Sequence, residues 1–348
     1  EVAARYAGAF ATLRSGTVVV SRDSRPSGEM LRHAVIAGLM ETGVTVLDAG
    51  ILPTPSCGLA VRHHRAAGGI QITASHNPAP WNGLKLFNAD GAVLSSEAGA
   101  AVRDCFHHNT LRRAPWNQMG QVQVPPDITP VHLEAVLDRV SVAAIASQRW
   151  RVFLDANGGA GGNLGRQLLA ELGCEVVLYG GEADGQFLHP PEPTPEHLAE
   201  VAPWVIRNAA MIGFALDPDA DRLALIDEQG RCLSEELTLA LAVEYRLRQD
   251  KGPVVINMST SRLIEDIARR HHCPCYRAPV GEAHVVSRMR EVQAVIGGEG
   301  NGGVIDPQVG WVRDPFVGIA YILALLAAEK KTLSEWVTQW PQYVMHKT

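Results

Sequence analysis

The stretch Met211-Ile212-Gly213-Phe214-Ala215-Leu216-Asp217-Pro218-Asp219-Ala220-Asp221-Arg222 is an apolar run of strand length that passes straight into an acidic loop. Open α/β sheets place their ligands at such strand ends. Carboxylates at alternate positions of extended backbone project from one side, so Asp217, Asp219 and Asp221 bring three anionic oxygens together. The trio repels itself unless a hard cation neutralises it, and Mg²⁺ suits oxygen donors. A calcium EF-hand fits poorly, although Glu228 falls at loop position twelve. Position six is Arg222 rather than Gly, Pro218 stiffens the start, and a strand precedes the loop.

Outward from this loop the chain alternates strand, loop and helix. Toward the N-terminus, strands are expected at Thr17–Val20, Val44–Leu47, Gly69–Thr73 and Lys85–Leu86, with helices near Glu29–Met40, Ser56–His64 and Glu97–His107. The proline-rich run from Val124 to Pro130 marks a change of unit, and the pattern restarts at Arg151–Asp155 and Glu175–Tyr179. A third restart has a helix near Glu235–Leu247 and strands at Val254–Met258 and Ala294–Ile296. Alternation of this kind predicts three related α/β units with mostly parallel strands, divided at 1–128, 129–230 and 231–348. Small interfaces between units predict a flexible arrangement.

The 348 residues are 46% hydrophobic and 20% charged, a globular composition, and the net charge of −6 argues against nucleic acid as the main partner. Glu1–Arg14 shows no targeting pattern, and the apolar run Phe316–Ala328 is too short to span a bilayer, so a cytoplasmic protein is expected. The six cysteines are scattered and read as reduced core thiols. The cluster His271-His272-Cys273-Pro274-Cys275 lacks a second pair at zinc-finger distance and reads as a helix end running into a strand.

Two further loops follow apolar strands. Thr73-Ala74-Ser75-His76-Asn77-Pro78, with Lys85 ten positions beyond Ser75, holds a candidate nucleophile or phosphate acceptor, although a Ser/Asn/Pro turn would share this composition. Gly297-Gly298-Glu299-Gly300-Asn301-Gly302-Gly303 lets backbone approach a ligand while Glu299 and Asn301 offer groups suited to vicinal hydroxyls; a flexible hairpin is the alternative. Gly158–Gly162 lacks the spacing of a dinucleotide fingerprint and reads as a tight strand-to-helix turn.

Together, and in this order, the loops resemble the α-D-phosphohexomutase family. Ser21-Arg22-Asp23-Ser24-Arg25-Pro26-Ser27-Gly28 resembles its early G-R-D-[ST]-R-x-S-G segment, Thr73–Pro78 its phosphoserine loop, Asp217–Arg222 its metal loop and Gly298–Gly303 its sugar loop. The resemblance implies three mixed α/β domains of the phosphohexomutase type. It implies a phosphorylated Ser75, Mg²⁺ held by Asp217, Asp219, Asp221 and a Ser75 phosphate oxygen, and Lys85 as general acid/base, working best with a lowered pKa. Arg22 and His76 join the catalytic set, Arg222 supports the phosphoryl group, and Glu299 and Asn301 hold sugar hydroxyls. The implied reaction is interconversion of hexose 1- and 6-phosphates, glucose or mannose first and glucosamine close behind. It runs through a hexose 1,6-bisphosphate, in a monomer or homodimer with a small phosphosugar as its partner.

The family normally opens with a segment ending in Ile/Val-Arg-Gly and closes with a fourth domain carrying an Arg-x-Ser-x-Thr-Glu-type loop. This sequence begins at Glu1, and nothing after Trp311 resembles that loop, so a truncated, fourth-domain-lacking form is expected. A non-catalytic sugar-phosphate binder and a phosphatase, with water intercepting phospho-Ser75, are the rival readings.

Overall fold

The computed structural model describes residues 1–341 and Tyr343. Its β-branched and apolar runs form three sheets. In the first, β1 (Thr17–Arg22) pairs in parallel with β2 (Thr45–Ile51) and β3 (Gly68–Ile72), β4 (Leu84–Asn88) returns antiparallel to β3, and β5 (Val122–Gln123) extends the β2 edge. The second contains β6 (Arg151–Asp155), β7 (Glu175–Tyr179), β8 (Ile212–Leu216) and β9 (Leu223–Ile226), the last antiparallel to β8. The third contains β10 (Val254–Asn257), β11 (Cys275–Ala278), β12 (Ile296–Glu299) and β13 (Gly303–Ile305), again with an antiparallel last pair.

The strand orders are β4-β3-β1-β2-β5, β7-β6-β8-β9 and β11-β10-β12-β13. Read from the hairpin edge, each sheet runs fourth, third, first, second strand. The three units are therefore one topology used three times, as expected, but each is mixed. The antiparallel returns β9 and β13 escape sequence reading because four and three residues directly after a loop carry no measurable period. The consequence for function is direct: all three motif loops are the connection inside the antiparallel hairpin of their unit.

Helices cover the sheets, which is why β8 and β10 are buried along their whole length. In the first unit the helix Val2–Thr12 lies against the helix Ser27–Glu41 so closely that a Cβ on Gly38 would sit 2.0 Å from the Ala4 carbonyl oxygen. The expectation of loosely joined units needs correction. One apolar core runs from the second into the third, joining Leu154, Leu164, Leu216 and Leu223 with Leu239, Phe316 and Tyr321. Its centre is the helix Pro315–Glu329, apolar on nearly every side and buried from Pro315 to Ala327. The first unit keeps separate clusters, although Val312 from the third packs with Cys57 and Leu59 from the first. No helix among the described residues is long and apolar enough to cross a membrane.

Candidate active site

The acidic loop joins β8 to β9 and is curled rather than extended. Ala220 adopts φ +49° and its N–H donates to the Asp217 carbonyl oxygen at 2.9 Å. The N–H groups of Asp221 and Arg222 both donate to Asp217 Oδ1 at 3.0 Å. The carboxylates thus converge by closing a turn on Asp217, not by strand alternation, because a turn satisfies the loop's backbone donors as well. All three aspartates are fully buried, with ligand oxygens within 4.8 Å of one another.

The charges around them are uneven. Asp219 Oδ2 accepts from Thr54 Oγ1 at 2.6 Å and Lys85 Nζ at 2.9 Å, and Asp221 Oδ2 from Lys85 Nζ at 2.7 Å and Arg313 Nη2 at 2.6 Å. Burial and the neighbouring Asp221 and Asp219 push the Asp217 carboxyl well above its ordinary range. Burial alone would raise Asp221 too, but Arg313, Lys85 and Arg222 together hold it low. The Oδ1 atoms of Asp219 and Asp221 are buried without a hydrogen-bond partner. Buried acceptors left unmet are costly, and anionic oxygens aimed at one point are the donor set a Mg²⁺-like cation takes, so these residues fit such an ion.

The loop between β3 and β4 carries Ser75, whose backbone is left-handed at φ +51°. A buried chain holds it there: Arg25 Nη1 to Asp23 Oδ2 at 2.5 Å, Thr73 Oγ1 to Asp23 Oδ2 at 2.7 Å, and Ser75 N–H to Thr73 Oγ1 at 2.9 Å. Arg25, fully buried, also donates from Nη2 to the carbonyl oxygens of Ser75 and Asn77. Ser75 Oγ then donates toward Asp217 Oδ2 at 3.4 Å, with His76 Nδ1 at 3.3 Å. Burial and Arg222 lower the His76 pKa, favouring the neutral ring. Glu192, from the loop before the second unit's hairpin, pairs with Arg222 Nη1 at 3.3 Å and lies 3.8 Å from His76 Nε2.

One expectation needs correction here. Lys85 is not shifted down: burial acts in that direction, but Asp219 and Asp221 overcome it and raise the ammonium pKa. Arg22, expected in the catalytic set, stands at the end of β1. It donates to the Asp23 carbonyl oxygen and to Glu29 Oε2, and lines a cavity of about 600 Å³ with Arg32 and Asp48. Arg25, quoted in the same segment, is the arginine turned toward the serine loop.

In the third hairpin Glu299 is already engaged. Its Oε1 accepts from Asn257 Nδ2 at 2.8 Å and the Gly281 N–H at 3.2 Å, and its Oε2 pairs with Arg313 Nη1 at 2.8 Å. Asn301 is half-buried with Oδ1 unpartnered. Arg313, missed by sequence reading, links the units: it bridges Asp221 and Glu299, and its backbone N–H donates to Glu282 Oε1 at 2.8 Å. Burial opposes its charge, but Asp221, Glu282 and Glu299 raise its pKa. Its signal was the Asp314-Pro315 pair behind it, a helix cap followed by proline at the first turn. Glu228 lies away from the acidic loop on Ser334, which removes the EF-hand alternative. The three aspartates are the one cluster among the described residues with metal-ligand spacing; His272, Cys273 and Cys275 form none.

Comparison with known proteins agrees with this geometry. Residues 1–113, 130–230 and 234–343 match the profiles described as phosphoglucomutase/phosphomannomutase alpha/beta/alpha domains I, II and III. A phosphoglucomutase/phosphomannomutase of Thermococcus kodakarensis is 40% identical over 100% of this chain and 78% of its own. A probable phosphoglucosamine mutase of Methanopyrus kandleri is 35% identical over 95% of this chain and 73% of its own. The crystal structure of a phosphoglucomutase/phosphomannomutase family protein from Burkholderia thailandensis superposes with a TM-score of 0.88 at 27% identity, covering 99% of this chain and 76% of that one. Three domain matches in order, with the serine, acidic and glycine loops brought together by three equivalent hairpins, place the chain in the phosphoglucomutase/phosphomannomutase family of phosphohexomutases.

Proposed function

We propose that the chain interconverts hexose 1-phosphate and hexose 6-phosphate, with glucose or mannose as the sugar, by carrying a phosphoryl group on Ser75. The observation that supports this most is Ser75 Oγ set against Asp217 at 3.4 Å, beside a buried aspartate trio with two unmatched oxygens. Asp217, Asp219 and Asp221 would hold Mg²⁺ together with a phosphoserine oxygen, and the ion would neutralise charge on the transferring group.

The remaining work falls to side chains. The Oγ–P bond of phospho-Ser75 breaks as a sugar hydroxyl oxygen takes the phosphoryl group, giving a bisphosphorylated sugar. After the sugar turns, its other phosphate returns to Ser75. The first transfer moves one proton from the sugar hydroxyl to Ser75 Oγ and the second moves one back from Ser75 to the sugar oxygen; Lys85 exchanges it, as base in its amine form and as acid in its ammonium form. The raised pKa of Lys85 comes from Asp219 and Asp221, the carboxylates a bound cation would share, so a cation there would lower the ammonium pKa. Neutral His76 and Arg222 position the phosphoryl group, and Arg25 fixes the loop that presents it. Asn301, with its free Oδ1, addresses a sugar hydroxyl; Glu299 serves it only by giving up a partner.

A second reading, phosphoglucosamine mutase, is favoured by the relatives 31–35% identical that bear that name. Ser75→Ala is the test of the main claim. It should abolish phosphate uptake from glucose 1,6-bisphosphate and lower turnover at least about 10⁴-fold, the scale expected when a nucleophile is removed. Label retained by the variant would sink the claim. Competition between glucose, mannose and glucosamine phosphates for phospho-Ser75 decides the sugar.

A further inference from the structure

Behind the site, three buried side chains from three units form a chain of their own. Ser56 Oγ lies 2.8 Å from His132 Nδ1, and His132 Nε2 lies 2.8 Å from Asp314 Oδ2. Exposures of 1%, 0% and 3% seal them from any substrate, so this serine–histidine–aspartate row is not a hydrolytic centre. Each ring nitrogen of His132 has one partner, Ser56 Oγ on Nδ1 and Asp314 Oδ2 on Nε2, so neither is left unmet. The ring also stands edge-on to Phe316, with centroids 5.4 Å apart.

The outer members are what matter. Ser56 stands two residues beyond Thr54 in the first turn of the helix Thr54–His63, and Thr54 is tied twice to the metal loop. Its Oγ1 donates to Asp219 Oδ2 and its N–H to the Asp219 carbonyl oxygen at 2.8 Å. Asp314 follows Arg313, which holds Asp221 and Glu299, and its Oδ1 caps the helix Pro315–Glu329 by accepting from Phe316 N–H at 2.9 Å. His132 itself lies on the helix Thr129–Leu137, which leads into the second unit.

We propose that His132 is a positioning residue for the active site: it sets the first unit's Thr54 and the third unit's Arg313 in register on the acidic loop between them. The inference rests on the reading of that loop as a cation site. Buried polar groups with both ends satisfied fix one arrangement, because any slip leaves a donor or acceptor unmet in low dielectric. Apolar packing alone would hold the units together without specifying their register. Outer partners of metal ligands act in this way, orienting groups that touch the ligands.

The test compares His132→Ala, His132→Gln and Ser56→Ala, by site-resolved hydrogen exchange and by Mn²⁺ titration well below the melting temperature. In His132→Ala, exchange at the Thr54, Asp221, Arg222 and Phe316 amides should quicken and the Mn²⁺ dissociation constant should rise roughly tenfold, the lower range for an outer partner. Glutamine offers an acceptor for Ser56 and a donor for Asp314, so His132→Gln should restore most of both. Should His132→Ala fail to fold, Ser56→Ala reads the same link. It should loosen Thr54 and the acidic loop while sparing the Phe316 amide. Uniform quickening through all three sheets with unchanged Mn²⁺ affinity would make His132 a mere stability residue and overturn the proposal. Wild-type protein indifferent to Mn²⁺, with the same four amides loosened in the variant, would remove the cation reading and leave the register role standing.

Discussion

The acidic loop and the serine loop are built on the same hairpin, yet they are held in opposite ways. Every aspartate of the acidic loop is fully buried, and Asp219 and Asp221 are paired with cations arriving from the other two units, Lys85 from the first and Arg313 from the third. The serine loop is fixed from within its own unit, by Asp23, Arg25 and Thr73, while Ser75 and His76 keep partial access to solvent. One loop is a fixed pole of charge that needs all three units; the other is held by its own unit and meets the second at Ser75 and His76. A reacting group must be reached and left by substrate, whereas a charge-stabilising group works best when nothing around it has to reorganise.

The largest break in this contrast comes from Asp221→Asn. It leaves Lys85 and Arg313 buried with one carboxylate fewer, and losing a partner from a buried ion network costs about 3–5 kcal/mol. Urea unfolding in chelator should show that loss, and a wild-type midpoint would mean the charges are not interdependent. Arg25→Met should come next. It strands the Asp23 carboxylate, costing about 3 kcal/mol, and should raise backbone exchange at 74–77 while leaving Mn²⁺ affinity nearly unchanged. A parallel fall in Mn²⁺ affinity would show that the loops are not separately held. Thr73→Val removes the hydroxyl between Asp23 and the Ser75 amide and should cost about 1–2 kcal/mol, with turnover falling more than stability.

The smallest effect is a pH slope at the edge of the site. His189 meets two acceptors, Asp155 Oδ2 at 2.7 Å and the Pro190 carbonyl oxygen at 2.9 Å, and so is satisfied as the cation. Burial lowers its pKa, but the contact with Asp155 wins and raises it. The charged form is therefore favoured by folding. Its contribution is complete below the unfolded value of about 6.5 and fades as pH rises through the folded one. His189→Gln should flatten the stability curve above that pH; an unchanged curve would place the slope elsewhere.

Much of this was legible in the sequence because loop composition is local. Three aspartates at alternate positions, a serine between small polar residues and a run of glycines announce themselves without any knowledge of the fold. The strand–helix alternation gave the three units for the same reason. What stayed hidden depends on which way a side chain turns or on contacts across the chain. Arg22 and Arg25 stand three residues apart in one motif, and only the strand end and the turn after it decide which faces the serine. Arg313 and Glu282 are ordinary charged residues near helix starts until folding brings them to Asp221 and Glu299. Glu299 looked free for a ligand because its partners, Asn257, Gly281 and Arg313, are scattered along the sequence. The Lys85 shift was hidden for the same reason, since the two carboxylates that raise it, Asp219 and Asp221, lie more than a hundred residues away in the sequence.

The hairpins also dictate an order of events during synthesis. Each sheet closes on its own segment, but the contacts that complete the site span 92 residues for Arg313 to Asp221, 136 for Lys85 to Asp221 and 142 for Ser75 to Asp217. Closing such loops is entropically costly until the elements that carry them are formed. A chain emerging from the ribosome therefore presents the aspartate trio with Lys85 already made and Arg313 still to come. Through that interval the acidic loop is short of one cation, and the arrival of Arg313 at its place between Asp221 and Glu299 is the step that ties the third unit to the other two at the acidic loop.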